Sequence, residues 1–224
     1  ALNKLFTTLL QKRHQVAVNT DFENYRDFRF KELGRFDYSK EDCFQFHEAV
    51  KLHVMPLVNQ IYEAKKKKLG LDTLRPWDVE AEPAGIQPLR PFKTGEELTE
   101  KTIACFDELS TGPDGKSFFG DCLRKMKELG HLDLESRKGK APGGYNCPLA
   151  ESGAPFIFMN AAGQLDDVTT MVHEGGHAIH SFLAHELELT GFKEYPTEIA
   201  EVASMAMELF SMDKWNVFFD SPEE

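Results

Sequence analysis

Apolar residues recur at the three-and-four spacing of a helix through the first half of the chain, and the period changes only after residue 130. Leu2, Leu5, Phe6, Leu9 and Leu10 make one apolar face of an opening helix. Asp21 starts a second, shorter one carrying Phe22, Tyr25 and Phe28. Ser39 followed by Asp42 predicts a capped start for a long helix that kinks at Pro56 and ends at Gly70. Prolines at 76, 83, 88 and 91 then break the pattern, which predicts an extended loop from Leu71 to Phe92. Thr94 and Glu97 form a capping box for a helix carrying Leu98, Ile103, Phe106 and Leu109, and a further helix ends near Gly130.

Strand character enters with "HLDLES" at 131–136 and "PFIFMN" at 155–160, separated by the glycine-rich, basic stretch "RKGKAPGGYNCPLAESGA". Helical spacing resumes at "QLDDVTT", where Asp166 or Asp167 is the expected N-cap, and again in "IAEVASMAMELF". The expectation is a mainly α fold with a small β element beside the helix that follows it. It divides into a helical part, 1–130, and a part holding a strand pair and two helices, 131–224.

With 224 residues, of which 41% are hydrophobic and 28% charged, the chain can bury a substantial core. A net charge of −11 without a basic face speaks against nucleic acid and anionic membranes as partners. The run Lys65–Lys68 lies just before Gly70, where cations suit the end of a helix dipole, and reads as a solvated C-terminus. No apolar run could span a bilayer and no signal segment opens the chain, so cytoplasmic residence is the expectation; the oligomeric state stays open. Cys43, Cys105, Cys122 and Cys147 form no CxxC pair and are expected to be reduced, mostly buried thiols.

Chemistry concentrates in "VHEGGHAIHSF", residues 172–182, where two adjacent glycines interrupt a helix at roughly 1 kcal/mol each. At about 100° per residue, His173 and His177 lie roughly 40° apart, and His180 falls about 20° to the other side of His173. Two histidines one turn apart can ligate a single zinc, while Glu174 flanks the site and can polarise a zinc-bound water instead of ligating. Gly176 adjoins the histidine stripe, where a side chain would crowd metal or substrate. Gly175 lies opposite, where another helix could approach closely.

A zinc site requires a third ligand. The metzincin continuation needs glycine at 180 and histidine at 183, where this chain has His180 and Leu183. Glu186, Glu188, Glu194, Glu198 and Glu201 are the alternatives. Glu186 and Glu188 still ride the motif helix, Glu194 lies in a turn, and Glu198 is explained by its place in a first helical turn. Glu201 is embedded among Ala200, Val202, Ala203 and Met205, where a buried carboxylate needs a partner or a metal, and is the expected third ligand. Glu208 lies two turns further along the same face. It can orient a ligand histidine from behind, or it can be an ordinary ion-paired helix glutamate.

"DDVTTMVHEGGHAIHSFL" followed by "YPTEIAEVASMAMELF" resembles the zinc core of the thimet-type oligopeptidases, most closely the oligoendopeptidase F branch. "FENYRDFRFKELGRFDY", "LRPWD" and "RKGKAPGGY" resemble other segments of that branch, so the likeness runs over nearly the whole chain. The resemblance implies a helical, zincin-type metallopeptidase with one zinc per chain, His173, His177 and Glu201 as ligands, and Glu174 as general base. It implies a strand at 156–160 lining a deep channel beside the substrate's main chain, with the loop at 143–145 bordering it, and oligopeptide substrates. Family members are much longer, so the expectation is a portion of a catalytic domain whose transition-state donors lie outside this chain. That portion is expected to bind zinc and to cut peptides poorly. His180 is then expected near the ligands or in the cleft lining, and Tyr145 as a substrate contact or loop packing. Two other classes share parts of this pattern: a zinc-dependent hydrolase of non-peptide amides, and a metal-free helical interaction module.

Overall fold

Local signals set most element boundaries in the computed structural model, which describes residues 1–219. The chain forms two units, Ala1–Ile86 and Gln87–Glu224. In the first, α1 (Leu2–Asn19) leads to α2 (Tyr25–Glu32). Asp21 does not start α2. It sits in the left-handed region at φ 63° just past the end of α1, a conformation that aspartate tolerates, and Asn24 caps α2 by accepting from the Asp27 amide at 3.0 Å. Ser39 and Asp42 form the expected reciprocal cap of α3 (Lys40–Ala49). The helix widens into a π turn at Val50–Val54 before α4 (Met55–Leu69), because Pro56 has no N–H for the carbonyl one turn back, and Gly70 ends it at φ 66°. Lys65 and Lys68 are more than solvated ends: both reach Glu82, at 3.1 and 3.0 Å, and tie down the proline-rich loop. Leu2, Leu5 and Phe6 on α1 and Leu57 and Ile61 on α4 remain exposed.

In the second unit Thr94 caps α5 (Gly95–Ser110) by accepting from the Glu97 amide at 3.1 Å. The Glu97 carboxylate turns to the Lys93 amide at 2.8 Å instead of closing the box on Thr94. After α6 (Phe118–Glu128) the chain forms three strands, not a pair: β1 (Leu132–Glu135), β2 (Tyr145–Cys147) and β3 (Phe156–Ala161), in the order β1-β3-β2. Three residues inside a glycine-rich run are too few to show alternation, which is why β2 is silent in the sequence. β3 runs parallel to β1 and antiparallel to β2, with Tyr145 opposite Phe158. Both its edges are therefore paired, and the outer edges of the sheet belong to β1 and β2.

Helix α7 (Leu165–His185) starts earlier than expected. Gln164 occupies the N-cap position, and Asp167 works from the first turn, accepting from the amides of Ala162 and Gln164 at 2.8 Å each. Helix α8 (Thr197–Ser211) follows, then a 3₁₀ segment, Met212–Phe218. Ile157 and Met159 of β3 meet Phe106 and Leu98 of α5, Met126 of α6 and Met171 of α7 in one core, all fully buried. Cys105 and Cys122 are free and buried, which pushes both thiols up to about 12, while Cys43 is half-buried and Cys147 exposed. Among the described residues no helix is long and apolar enough to cross a membrane.

Gly175 of α7 leaves room for the ring of Phe106, whose Cζ lies 2.7 Å from where a Cβ would stand. Gly175→Ala is expected to destabilise the chain by about 1–3 kcal/mol in urea unfolding. Combining it with Phe106→Leu should cost less than the sum of the single variants. An unchanged midpoint for Gly175→Ala would show that the ring yields freely.

Candidate metal centre

The site begins with a contact between two helices. A Cβ on Gly176 would lie 2.8 Å from Ser204 Cα and from Met207 Cβ, and 3.1 Å from the Ala203 carbonyl oxygen. Gly176 therefore admits the backbone of α8 rather than clearing space for metal or substrate, and it is a phenylalanine ring, not a helix backbone, that fills the gap at Gly175. A helical wheel gives the angle at which each glycine points but not the neighbour it meets: Gly175 does admit another helix, α5, through its Phe106 ring, whereas Gly176 meets α8 instead of metal or substrate.

This close approach carries Glu201 to the histidines. Its Oε2 is 3.4 Å from His173 Nε2 and its Oε1 3.8 Å from His177 Nε2. The two imidazoles stand 4.8 Å apart at 86° between ring planes. The three side chains offer ligand atoms within 4.8 Å of one another, close enough to hold a metal ion. Glu201 is not buried as its neighbours suggested: its side chain is 44% exposed, and Val202 and Met205 are exposed too. Helix packing at Gly176, not desolvation, accounts for its position. The buried Ser204 steadies it, with Oγ 3.3 Å from Oε2. Glu208 Oε1 lies 2.6 Å from His173 Nδ1, so it accepts that proton and leaves Nε2 free to face Glu201.

Glu174 is buried, and its Oε2 has no hydrogen-bond partner. Burial raises its pKa, as does Glu201, while His173 acts in the opposite direction. His177 is lowered, first by burial and then by His173, against the pull of Glu201. All four side chains, His173, Glu174, His177 and Glu201, line a cleft of about 920 Å³.

Tyr145 lies on the cleft rim, half exposed, with its ring stacked on Phe158 at 5.0 Å. Strand β3 is not beside the cleft as expected, because β2 stands between; Gly144, Tyr145 and Asn146 form that wall. His180 stacks on Tyr195 at 3.9 Å, its Nδ1 buried without a partner and its pKa lowered by that burial. It is Tyr195, with its hydroxyl 3.2 Å from Ser181 Oγ, that faces the cleft. Sequence reasoning missed Tyr195 and Ser204. The only signals were an aromatic residue directly before the Pro196 cap and the serine of "EVAS".

The family model described as peptidase family M3 matches residues 1–224. The chain belongs to peptidase family M3. An oligoendopeptidase F homolog of Lactococcus lactis subsp. lactis (strain IL1403) is 30% identical over 161 residues, covering 72% of this chain and 25% of the relative. Oligopeptidase PepF of Bacillus subtilis (strain 168) is 28% identical over 210 residues, 92% of this chain and 29% of its own. The solved structure of PZ peptidase A with inhibitor 2 superposes at a TM-score of 0.86 with 28% identity, over 96% of this chain and 37% of that one. The chain thus spans between about a quarter and two fifths of the length of these relatives, and its mainly helical fold with a small sheet matches the corresponding part of the solved peptidase structure.

Gly176→Ala tests the helix contact. The added methyl is expected to push α8 outward, destabilise the chain by about 1–3 kcal/mol and weaken the binding of added zinc, measured by competition with a chromogenic chelator. Zinc affinity equal to that of the unsubstituted chain would contradict a role for this contact in setting the donor spacing.

Proposed function

We propose that this chain carries the catalytic centre of a zinc-dependent oligopeptidase, with His173, His177 and Glu201 holding one zinc ion and Glu174 acting as general base. The observation that carries the reading is the convergence of two imidazoles and a carboxylate in the lining of a cleft, directly beside a buried carboxylate with an unpartnered oxygen. The donor set fits the metal. Donors about 2.0–2.2 Å from a tetrahedral zinc lie roughly 3.3–3.6 Å apart; here Glu201 Oε2 is 3.4 Å from His173 Nε2, Glu201 Oε1 is 3.8 Å from His177 Nε2, and one donor atom from each of the three residues lies within 4.8 Å of the others. The relatives' names, an oligoendopeptidase F homolog and an oligopeptidase, support peptide substrates.

Zinc, when bound, supplies a Lewis acid that acidifies water and polarises the scissile carbonyl. The residues of this chain do the rest. Glu208 fixes the His173 tautomer, and Ser204 steadies the Glu201 carboxylate. Burial raises the basicity of Glu174, so its carboxylate accepts a proton from the attacking water and returns it to the leaving amine. Without a bonded partner on Oε2, Glu174 has a lone pair available for that transfer. The free edge of β2 offers backbone groups to an extended peptide, a mode of binding in which main-chain hydrogen bonds hold the substrate irrespective of its side chains.

Glu174→Gln in the zinc-loaded chain is expected to keep the metal and lower peptide hydrolysis by about 10²–10⁴-fold. Loss of zinc along with activity would mean that Glu174 is a ligand, not the base. Assayed against a panel, the unsubstituted chain should cleave oligopeptides and leave small non-peptide amides untouched; the reverse preference would overturn the peptide reading.

A further inference from the structure

Lys140 takes a charge into the interior of the second unit: its side chain is 1% exposed. Its Nζ donates to the Asp133 carbonyl oxygen at 2.9 Å, to Asp133 Oδ1 at 3.0 Å and to the Glu135 carbonyl oxygen at 2.9 Å, which uses all three of its donor positions. The same ammonium lies 4.4 Å from the ring centroid of Phe158. Burying an ammonium is costly unless its donors are used in full, as they are here. The anchored segment belongs to the glycine-rich, basic stretch for which the proposed hydrolysis has no direct use.

The chain just after Lys140 is held a second time. Asn160 Nδ2 donates to the carbonyl oxygens of Ala141 and Gly143, both at 2.8 Å. Beyond them the chain enters β2, where the Tyr145 ring lies on Phe158, the ring that also receives Lys140. Gly143 turns at φ 98°, and Gly144 backs onto the general base, so that a Cβ there would stand 3.5 Å from Glu174 Oε1. Asn146 Nδ2 donates to the Glu174 carbonyl oxygen at 3.5 Å. One buried cation, one amide and one aromatic ring thus fix residues 141–146 against both the sheet and Glu174.

We propose that Lys140 and Asn160 are positioning residues for substrate: they set the free edge of β2 at the distance from Glu174 at which a paired peptide presents its scissile bond. Neither side chain touches the peptide. The inference rests on the peptidase reading above and adds to it the device that holds the substrate strand in register.

The test uses the zinc-loaded chain and two probes: a tetrapeptide ending in a hydroxamate, and acetohydroxamic acid, which can reach the metal but has no strand to pair. Lys140→Met and Asn160→Ala are each expected to weaken the peptide probe roughly tenfold or more, leaving acetohydroxamate affinity and zinc content unchanged. In the metal-free variants, backbone amides of residues 141–147 should exchange with solvent faster than in the unsubstituted chain, and those of α7 at the same rate. Asn160 is only half-buried, so its variant carries the test if Lys140→Met fails to fold. Peptide affinity that is unchanged, or lost in step with acetohydroxamate affinity, would overturn the proposal. An unsubstituted chain that takes zinc and acetohydroxamate but no peptide overturns the peptidase reading itself, and this inference with it.

Discussion

Gly176 lets the backbone of α8 come within 2.8 Å of the place where any other residue of α7 would carry its Cβ, and the arrangement of the site follows from that contact. The donor atoms on α7 are set by helical pitch alone, since residues four apart always share a face. The third donor is on another helix, and its reach depends on how closely the two axes approach. A carboxylate on a stem of two methylenes has limited reach, so the extra separation that a methyl group would impose moves it away from the imidazoles. The intrinsic cost of glycine inside a helix, roughly 1 kcal/mol, is the counterpart of that proximity.

Around this contact, polar groups are divided by environment. Glu201 is partly exposed and close to both imidazoles, Glu208 stands behind His173, and Glu174 is buried with one free oxygen. Three carboxylates at one locus would repel one another if all were solvated alike. Here two are matched to histidines, and the third is raised by burial, which favours a proton acceptor over a permanent anion. On the opposite wall, β2 and the loop before it are fixed by side chains that lie outside the cleft. The site is therefore assembled from two directions: helix packing sets the metal-type donors, and the sheet sets the surface along which an extended chain can lie.

Much of this was legible in the sequence because it is local. The reciprocal cap at Ser39, the helix end at Gly70 and the shared face of His173 and His177 need only neighbours a few residues away. What was not legible depends on distant partners. β2 is three residues long and exists through pairing with β3, so no alternation announces it. Glu201 was singled out by assuming that apolar neighbours bury it, yet Val202 and Met205 point outward and the carboxylate is partly exposed. Apolar spacing on α1 and α4 gave the helices but not what covers their faces, and Leu2, Phe6 and Ile61 lie exposed. Lys140 looked like one more cation in a basic run, because sequence shows charge but not the carbonyl oxygens that gather around it.

Whether His173, His177 and Glu201 hold zinc is decided by X-ray absorption at the zinc edge, on the purified chain after dialysis without chelator. About one zinc per chain is expected, with two imidazole nitrogens and carboxylate or water oxygen at roughly 2.0–2.2 Å, and with the imidazole scattering reduced, or the zinc lost, in His173→Ala. A folded chain without zinc, or a bound zinc whose spectrum lacks two imidazoles, would contradict that ligand set.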